Sequence, residues 1–313
     1  MIVDSHVHLF FEGSDPEEFF VGCARVASAL FGKETGEYSD PVELYKYFLG
    51  ILSDRTGDKL VAAMNEAGVD KAILLPLDFW LKYPKASGAC LTMEEKNRIY
   101  AEATERYPNR LLSLFGIDPR RRDALRLFEK GIEEWGMKGL KIHPTAGFYP
   151  DDPICYPIYE RAQEYGVPVL IHSGNEPAPM AVKYSQPKYI DTIAADFPEL
   201  KIIIAHMGHG WWREAVDIAT MKPNIYLDFS GWQPLYTSNP DYLWYPLRMA
   251  IDLIGPWRVL FGTDGSMLNV LMPLKDWVNA VKTPKSPTGI EFSPKEIEII
   301  MGKAAAKLYS IHS

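Results

Sequence analysis

The sequence predicts an α/β fold of the (β/α)8 type, the TIM barrel, and two observations support this prediction. Eight short apolar runs recur along the 313 residues, each separated from the next by a longer stretch. These stretches have amphipathic, helix-like patterns and end shortly before a Gly or Pro, as at Gly136, Gly166 and Pro198. Alternating strands and helices are typical of a parallel sheet covered on both faces, and eight repeats favour a closed barrel over an open sheet.

The eight predicted strands are five to eight residues long and rich in Ile, Leu and Val. They are too short for helices, and their near-continuous apolarity is expected of strands buried on both faces. They lie at residues 2–9, 71–77, 111–117, 139–143, 168–172, 201–206, 224–229 and 258–264. Helices are predicted between them, for example at 123–135, 157–165 and 190–197. No G-x-G-x-x-G motif follows a strand, which disfavours a dinucleotide-binding fold.

An insertion separates the first two strands. About sixty residues, 10–70, lie where a barrel unit needs far fewer. They include two candidate helices with much apolar surface, at 16–31 and 41–53. Because the loops that follow barrel strands surround the active-site end, we expect the insertion to cover the barrel mouth. We therefore predict a single domain over residues 1–313, with residues 10–70 acting as a lid.

The composition argues against several classes of protein. The chain is 47% hydrophobic and 24% charged, which is ordinary for a folded domain. Its net charge of −8 argues against nucleic acid or an anionic membrane as the main partner. The N-terminus lacks the features of a signal peptide, and no apolar run reaches the length of about 18 residues that a membrane span needs. We expect a cytoplasmic protein that acts on a small molecule, with a carboxylate as one option.

The strongest functional signal is the placement of the histidines. Five of the seven lie at or near the carboxyl ends of predicted strands: His6, His8, His143, His172 and His206. The other two, His209 and His312, do not. Because the carboxyl ends of the strands form the catalytic face of a barrel, we expect these five histidines at the active site.

His6 and His8 form a candidate chelating pair. Side chains alternate along a strand, so both imidazoles point the same way, with Asp4 behind them. His172 on the fifth strand and Asp264 on the eighth can complete a set of three nitrogens and one carboxylate oxygen. That set suits one divalent metal, Zn²⁺ best, with Mn²⁺, Fe²⁺ or Co²⁺ as alternatives. A water bound to such a metal ionises near pH 7.

His206, at the end of the sixth strand, is the candidate general acid or base. From there it can hold or deprotonate the water, or polarise the substrate. Asp264 is a second candidate base, whether it binds the metal directly or accepts the proton of the water. One carboxylate can serve both purposes at different stages.

These motifs resemble those of the amidohydrolase superfamily: the D-x-H-x-H start, the histidines of strands five and six, and the final G-T-D. The most similar branch is the amidohydrolase-related group, which contains aminocarboxymuconate-semialdehyde decarboxylase and its hydrolase relatives. The resemblance implies one metal held by His6, His8, His172 and Asp264, with His206 as acid or base. It also implies that a homodimer is an option, although the sequence shows no interface signature.

Lys141 has two interpretations within this resemblance. In binuclear members of the superfamily, a lysine of the fourth strand is carbamylated and bridges two metals, and Lys141 lies on the corresponding strand. The K-x-H-P pattern that begins at Lys141 is more similar to the mononuclear members. We therefore favour one metal, with Lys141 as an ammonium that pairs with a substrate carboxylate or a neighbouring acid.

Further polar and aromatic residues are predicted around the metal. Asp4 is expected to orient a ligand imidazole. His143 is expected either to contact substrate or to hydrogen-bond the barrel rim. The candidate pocket residues are Lys46, Phe79, Trp80, Asn175, Glu176, Trp211 and Trp232.

The sequence leaves three functions open. The first is hydrolysis of an amide, lactone or related carbonyl bond of a small organic molecule by metal-bound hydroxide. The second is non-oxidative decarboxylation of an aromatic or muconate-type acid; decarboxylases of this branch usually lack K-x-H-P, so we place it second. The third is a barrel that has lost catalysis and serves as a scaffold, which the intact ligand set disfavours.

Overall fold

The computed structural model describes residues 1–83 and 91–311, so His312 lies outside the described residues. All eight predicted strands are present, each shorter than the apolar run that predicted it. They are β1 Val3–Val7, β2 Lys71–Leu74, β3 in two pieces (Leu111–Ser113 and Phe115–Gly116), β4 Leu140–Ile142, β5 Val169–Ile171, β6 Ile202–Ile204, β7 Ile225–Asp228 and β8 Val259–Leu260. Neighbouring strands are parallel throughout.

Backbone hydrogen bonds close these strands into one barrel. The split third strand joins two parallel sheets. On one side, the amide of Leu114 donates to the carbonyl of Leu74, on β2, at 2.9 Å. On the other side, the amide of Phe115 donates to the carbonyl of Gly139, just before β4, at 2.8 Å. At the opposite seam, the amide of Asp264 donates to the carbonyl of His6 at 2.9 Å. The predicted (β/α)8 barrel is therefore confirmed.

Helices surround the barrel and begin where the sequence supplies caps. For example, Thr92 and Glu95 form a capping box at the start of one helix, so that both satisfy backbone amides. The helices are α1 Glu17–Phe31, α2 Pro41–Leu52, α3 Asp58–Ala67, α4 Met93–Arg106, α5 Ala124–Glu133, α6 Tyr156–Glu164, α7 Lys188–Asp196, α8 Trp212–Met221, α9 Gln233–Ser238, α10 Asp241–Ile254, α11 Leu274–Lys282, α12 Pro294–Glu298 and α13 Ala304–Leu308. Within the described part of the chain, none of them has the length and hydropathy needed to span a membrane.

Apolar side chains from the strands fill the barrel interior. They form a fully buried cluster that α13 packs against, with Val3, Ile73, Leu114, Leu170, Ile203 and Leu260 among its members. A second, larger cluster lies between the strands and the outer helices. Because the interior is packed, a site for a small molecule belongs at the carboxyl ends of the strands.

The insertion begins at a buried polar anchor. The ammonium of Lys96, on α4, donates to Asp15 Oδ1 and to the carbonyl of Leu77, both at 2.7 Å. The side chains of Lys96 and Asp15 are both almost completely buried. Tyr100, one turn further along α4, exchanges hydrogen bonds with the backbone of Leu9 at 3.1 and 3.0 Å. These contacts fix the segment that connects β1 to α1 on the barrel.

Candidate active site

A cavity of about 330 Å³ lies at the carboxyl ends of the strands. This volume is at the lower end of the range, roughly 300–1,000 Å³, that small-molecule sites occupy. Its polar lining residues are His8, Lys141, His143, His172, Asn175, Glu176, His206, His209 and Asp264. Four of the five strand-end histidines, all except His6, and the pocket residues at 175 and 176 therefore lie around one space.

His6, His8 and Asp264 form the first group of candidate metal ligands. Asp264 Oδ1 is 3.5 Å from His6 Nε2 and 3.3 Å from His8 Nε2, and one ligand atom from each residue lies within 4.8 Å of the others. The backbone supports this convergence, because Asp264 adopts a left-handed conformation (φ 56°) just after the seam with β1. A β1 strand with His6 and His8 on one face thus meets the carboxylate that follows β8.

The outer nitrogens of both imidazoles have acceptors as partners. His6 Nδ1 is 3.0 Å from Asp228 Oδ2, and His8 Nδ1 is 2.6 Å from the carbonyl of Leu75. Each Nδ1 must therefore carry the hydrogen, which leaves both Nε2 lone pairs directed at Asp264. Burial, with Lys141 nearby, lowers the pKa of His6 to about 4 and keeps it neutral.

This donor set fits a divalent cation. Burial raises the pKa of Asp264, but His8, His206 and His6 outweigh that effect and lower its pKa well below the usual value, so the carboxylate is ionised. Two imidazole nitrogens and an ionised carboxylate then face one another. Such a cluster is stable when a cation occupies its centre.

His172 lies in a second group, with His143 and Glu176. His172 Nε2 is buried, has no hydrogen-bond partner and is 3.4 Å from Glu176 Oε1. His143 Nε2 is 3.0 Å from the same oxygen, and the two imidazoles stack with ring centroids 3.8 Å apart. The structure thus brings His6, His8 and Asp264 together and directs the free nitrogen of His172 towards Glu176. Its membership of the metal site stays a prediction.

A chain of hydrogen bonds connects His172 to Asp228. Asp228 accepts a hydrogen bond from the hydroxyl of Ser230, and that hydroxyl is 2.8 Å from His206 Nδ1. Because the Ser230 hydroxyl donates its hydrogen to Asp228, it accepts a hydrogen bond from His206 Nδ1. His206 Nε2 then carries no hydrogen and accepts a hydrogen bond from His172 Nδ1 at 3.2 Å. The same carboxylate therefore orients His6 directly and both His206 and His172 through Ser230.

Sequence reasoning missed Asp228, Ser230 and His209. Asp228 ends a predicted strand, which was an available signal, whereas Ser230 had none. His209 was not expected at the site because it lies beyond the end of its strand. It lines the cavity because residues 206–209 all have positive φ, which turns the chain back so that His209 stacks on His206 with centroids 5.0 Å apart. Backbone strain of this kind clusters at functional sites.

Lys141 is buried, and among the described residues no carboxylate lies within 4.0 Å of its ammonium. Its hydrogen-bond partner is His6 Nε2, at 3.4 Å. Burial lowers its pKa to about 8, an effect that Asp228, Asp264 and Glu176 oppose. At neutral pH it is therefore mainly an ammonium.

Asp4 and Glu176 have raised pKa values for the same physical reason. Burial raises the pKa of Asp4 to about 7, although the carboxylate accepts hydrogen bonds from the amide and hydroxyl of Thr263 at 3.0 and 2.6 Å. Asp4 also accepts from the amide of His6, so it supports the backbone of two ligand-bearing segments. The expectation that Asp4 orients a ligand imidazole was wrong, because Asp228 is the carboxylate that contacts the His6 ring. Burial and the neighbouring Asp264 raise the pKa of Glu176 to about 8.

The other predicted pocket residues have different positions. Phe79 packs edge-on against His143, with centroids 4.7 Å apart, and Trp232 donates from its indole nitrogen to the carbonyl of His206 at 2.9 Å. Both support site histidines from behind. Lys46 was wrong as a pocket residue: its side chain is 62% exposed and pairs with Glu43, because α2 presents it outwards.

A family model matches nearly the whole chain. The model described as Amidohydrolase matches residues 3–311. Curated relatives match over shorter stretches. The protein fluG of Emericella nidulans is 28% identical over 98 residues, and a 2-keto-4-carboxy-3-hexenedioate hydratase of a Sphingobium strain is 27% identical over 157. These alignments span 31% and 44% of this chain but only 11% and 46% of the relatives' lengths.

Solved structures of similar fold cover nearly all of the chain. A TIM-barrel protein of uncharacterised function from Bordetella bronchiseptica has a TM-score of 0.70 at 20% identity, covering 99% of this chain and 98% of its own. The 5-carboxyvanillate decarboxylase of Sphingomonas paucimobilis scores 0.66 at 20% identity, covering 99% of both chains. The corresponding Novosphingobium aromaticivorans enzyme, in complex with manganese and a nitrobenzoic acid, scores 0.67 at 17% identity, covering 99% and 96%. At these identities the likeness establishes the barrel fold.

Proposed function

The chain belongs to the amidohydrolase family, and from that premise we propose that it is a metal-dependent, non-oxidative decarboxylase of an aromatic or muconate-type carboxylic acid. The sequence placed this reaction second, after hydrolysis. Two of the solved structures with the same barrel are aromatic-acid decarboxylases, which supports the second choice more than the first. The family membership also makes a non-catalytic scaffold the least supported of the three hypotheses.

The observation that carries this proposal is the environment of Lys141. Its ammonium is buried at the inner end of a largely apolar cavity, beside His6, with no carboxylate within pairing distance among the described residues. A buried charge needs a partner of opposite sign, and a substrate carboxylate supplies one. A carboxylate held there lies next to the candidate metal ligands.

We assign the metal to His6, His8, His172 and Asp264. The convergent lone pairs of His6 and His8, and the free Nε2 of His172, fit such a role. When bound, a divalent ion supplies a Lewis acid that holds substrate oxygen and stabilises negative charge. The sequence favours zinc, whereas the manganese in a structure of similar fold supports manganese equally.

We assign the remaining steps of the reaction to side chains of the protein. Lys141 pairs with the carboxylate and fixes its orientation. When the carbon–carbon bond breaks, CO₂ leaves and the bonding electron pair stays on the substrate carbon. That carbon takes one proton, which we assign to His206. Burial lowers the pKa of His206 to about 3, so His206 rests as the neutral imidazole and passes to the carbon a proton that it first takes from solvent.

We also propose that the insertion at residues 10–70 serves as a lid within a single domain. Helix α1 supports this role, because Phe19, Cys23 and Val26 line the cavity. The buried pair of Lys96 and Asp15 holds the base of the insertion on the barrel.

Product analysis tests the proposed reaction. Metal-loaded protein is incubated with aromatic carboxylic acids and, separately, with lactones and amides, and both CO₂ and organic products are measured. We expect CO₂ and the decarboxylated product, loss of both after chelation, and recovery when Zn²⁺ or Mn²⁺ is returned. Release of a new acid from a lactone or amide, with no CO₂ from any acid, would establish hydrolysis instead.

A further inference from the structure

The cavity has a polar inner end and an apolar outer end. At the inner end, Lys141 is only 1% exposed. At the outer end, α1 and the segment that begins at Met267 both line the cavity, and the lining residues there include Val26, Leu30, Phe31, Leu268 and Leu271. Val26 and Phe31 are 46% and 50% exposed, so the apolar lining continues to the mouth of the cavity.

Cationic groups are scarce along this lining. Among the described residues that form it, Lys141 is the single lysine and there is no arginine. Two acids, Asp264 and Glu176, share the inner end with Lys141. A second carboxylate on a bound molecule would lie against the outer wall, where it would lose water without gaining a partner. Such burial of an unpaired charge is strongly unfavourable.

The outer wall instead suits an uncharged apolar group. Leu30 and Leu268 are partly buried, and both gain contacts when an alkyl or aryl group covers them. The cavity of about 330 Å³ has room for a ring with a short substituent rather than for a large polycyclic molecule.

We propose that the substrate is a monocarboxylate whose remaining part is an uncharged alkyl or aryl group seated between α1 and residues 267–271. This inference rests on the proposed function, since it takes the carboxylate at Lys141 to be the reacting group. It places acids with two or more carboxylates outside the substrate range of this chain.

Binding of four simple acids to the metal-loaded wild-type protein tests the proposal by calorimetry. The probes are benzoate, 4-methylbenzoate, 4-butylbenzoate and terephthalate. We expect 4-butylbenzoate to bind at least tenfold more tightly than benzoate, since each buried methylene contributes roughly fourfold. Terephthalate should bind at least tenfold more weakly than 4-methylbenzoate. Equal or tighter binding of terephthalate, or no gain from the butyl group, overturns the proposal.

A charge placed in the outer wall gives a second, independent test. Leu30→Arg supplies the missing partner, so it should remove the terephthalate penalty and the butyl gain while benzoate affinity changes less than twofold. The matched control is Ile51→Arg, on α2, which is 44% exposed and does not line the cavity; it should leave all four affinities unchanged. If Leu30→Arg behaves like its control, the assignment of the outer wall is wrong.

The two proposals fail in distinguishable ways. If the binding order holds but no monocarboxylate releases CO₂, the proposed function fails and the monocarboxylate selectivity stands. If CO₂ is released and dicarboxylates are the preferred substrates, the selectivity fails and the decarboxylase function stands.

Discussion

Asp228→Asn tests the hydrogen-bond chain that sets the imidazole tautomers. The substitution preserves shape at a fully buried position but replaces one carboxylate oxygen with an amide NH₂. Asp228 Oδ1 accepts from the amide of His206 at 3.2 Å, the amide of Ser230 at 3.0 Å and the Ser230 hydroxyl. The amide oxygen of an asparagine will occupy this site of three donors, so its NH₂ will face His6 Nδ1.

That orientation reverses the tautomer of His6. An NH₂ group can only donate to Nδ1, so the hydrogen of the imidazole moves to Nε2 and the lone pair directed at Asp264 is lost. Partners of this kind typically change metal affinity by 10- to 100-fold, which corresponds to about 1.4–2.7 kcal/mol. We therefore expect Asp228→Asn to weaken metal binding within that range and to reduce turnover at least as much.

Competition with a chelator of known affinity measures the metal affinity, and circular dichroism confirms that the variant is folded. Ser230→Ala is the matched control. It removes the hydroxyl between Asp228 and His206, but His6 keeps its contact with Asp228, and the carbonyl of Ser230, 3.1 Å from His206 Nδ1, still accepts from that nitrogen. The tautomers are therefore preserved, and this variant should retain metal. If Asp228→Asn binds metal as tightly as the wild type, the tautomer argument is wrong.

Four further substitutions probe the metal site, the carboxylate anchor and a surface ion pair. His172→Ala should remove both metal and turnover, whereas His206→Ala should spare most of the metal, as measured by elemental analysis; equal metal loss in both would contradict the assigned roles. Lys141→Met should keep the metal and raise the KM of a carboxylate substrate by roughly 10- to 100-fold, since a charged hydrogen bond is lost; an unchanged KM would refute the anchor. The hydrogen bond from Arg248 lowers the pKa of Glu296 from 4.5 to about 2. The pair therefore stabilises the fold at pH values above the pKa that Glu296 has in the unfolded state. This stabilisation is lost as the pH falls through about 2. Chemical denaturation should show Glu296→Gln less stable by about 1 kcal/mol at pH 7, given solvent screening, with a difference that shrinks as the pH is lowered towards 2.

The fold was readable from the sequence because a strand buried on both faces must be apolar along its whole length. The same rule explains why the strands were predicted too long. Leu75 and Leu77 follow β2 and are buried like strand residues, yet they lie beyond the last pairing with β3. Apolarity reports burial, whereas the end of a strand is set by its hydrogen-bond partners.

The candidate ligands were predictable to the extent that the barrel alone brings them together. His6, His8 and Asp264 follow from strand ends and alternation, and they converge. Asp228 and Ser230 act through hydrogen bonds across the barrel, and His209 enters the cavity through a left-handed turn. Apart from the position of Asp228 at a strand end, none of these effects has a local sequence pattern. The prediction of Lys46 as a pocket residue was wrong for a related reason. Which side of α2 points to solvent depends on the elements that the helix packs against.

We propose that His6, His8, His172 and Asp264 together hold one divalent ion at the inner end of the cavity. A crystal structure of the manganese-loaded protein, with anomalous scattering recorded at the manganese edge, locates that ion directly. We expect one anomalous peak within bonding distance of all four side chains. A peak held instead by His143, His172 and Glu176, or no peak in protein that is active with manganese, would contradict it.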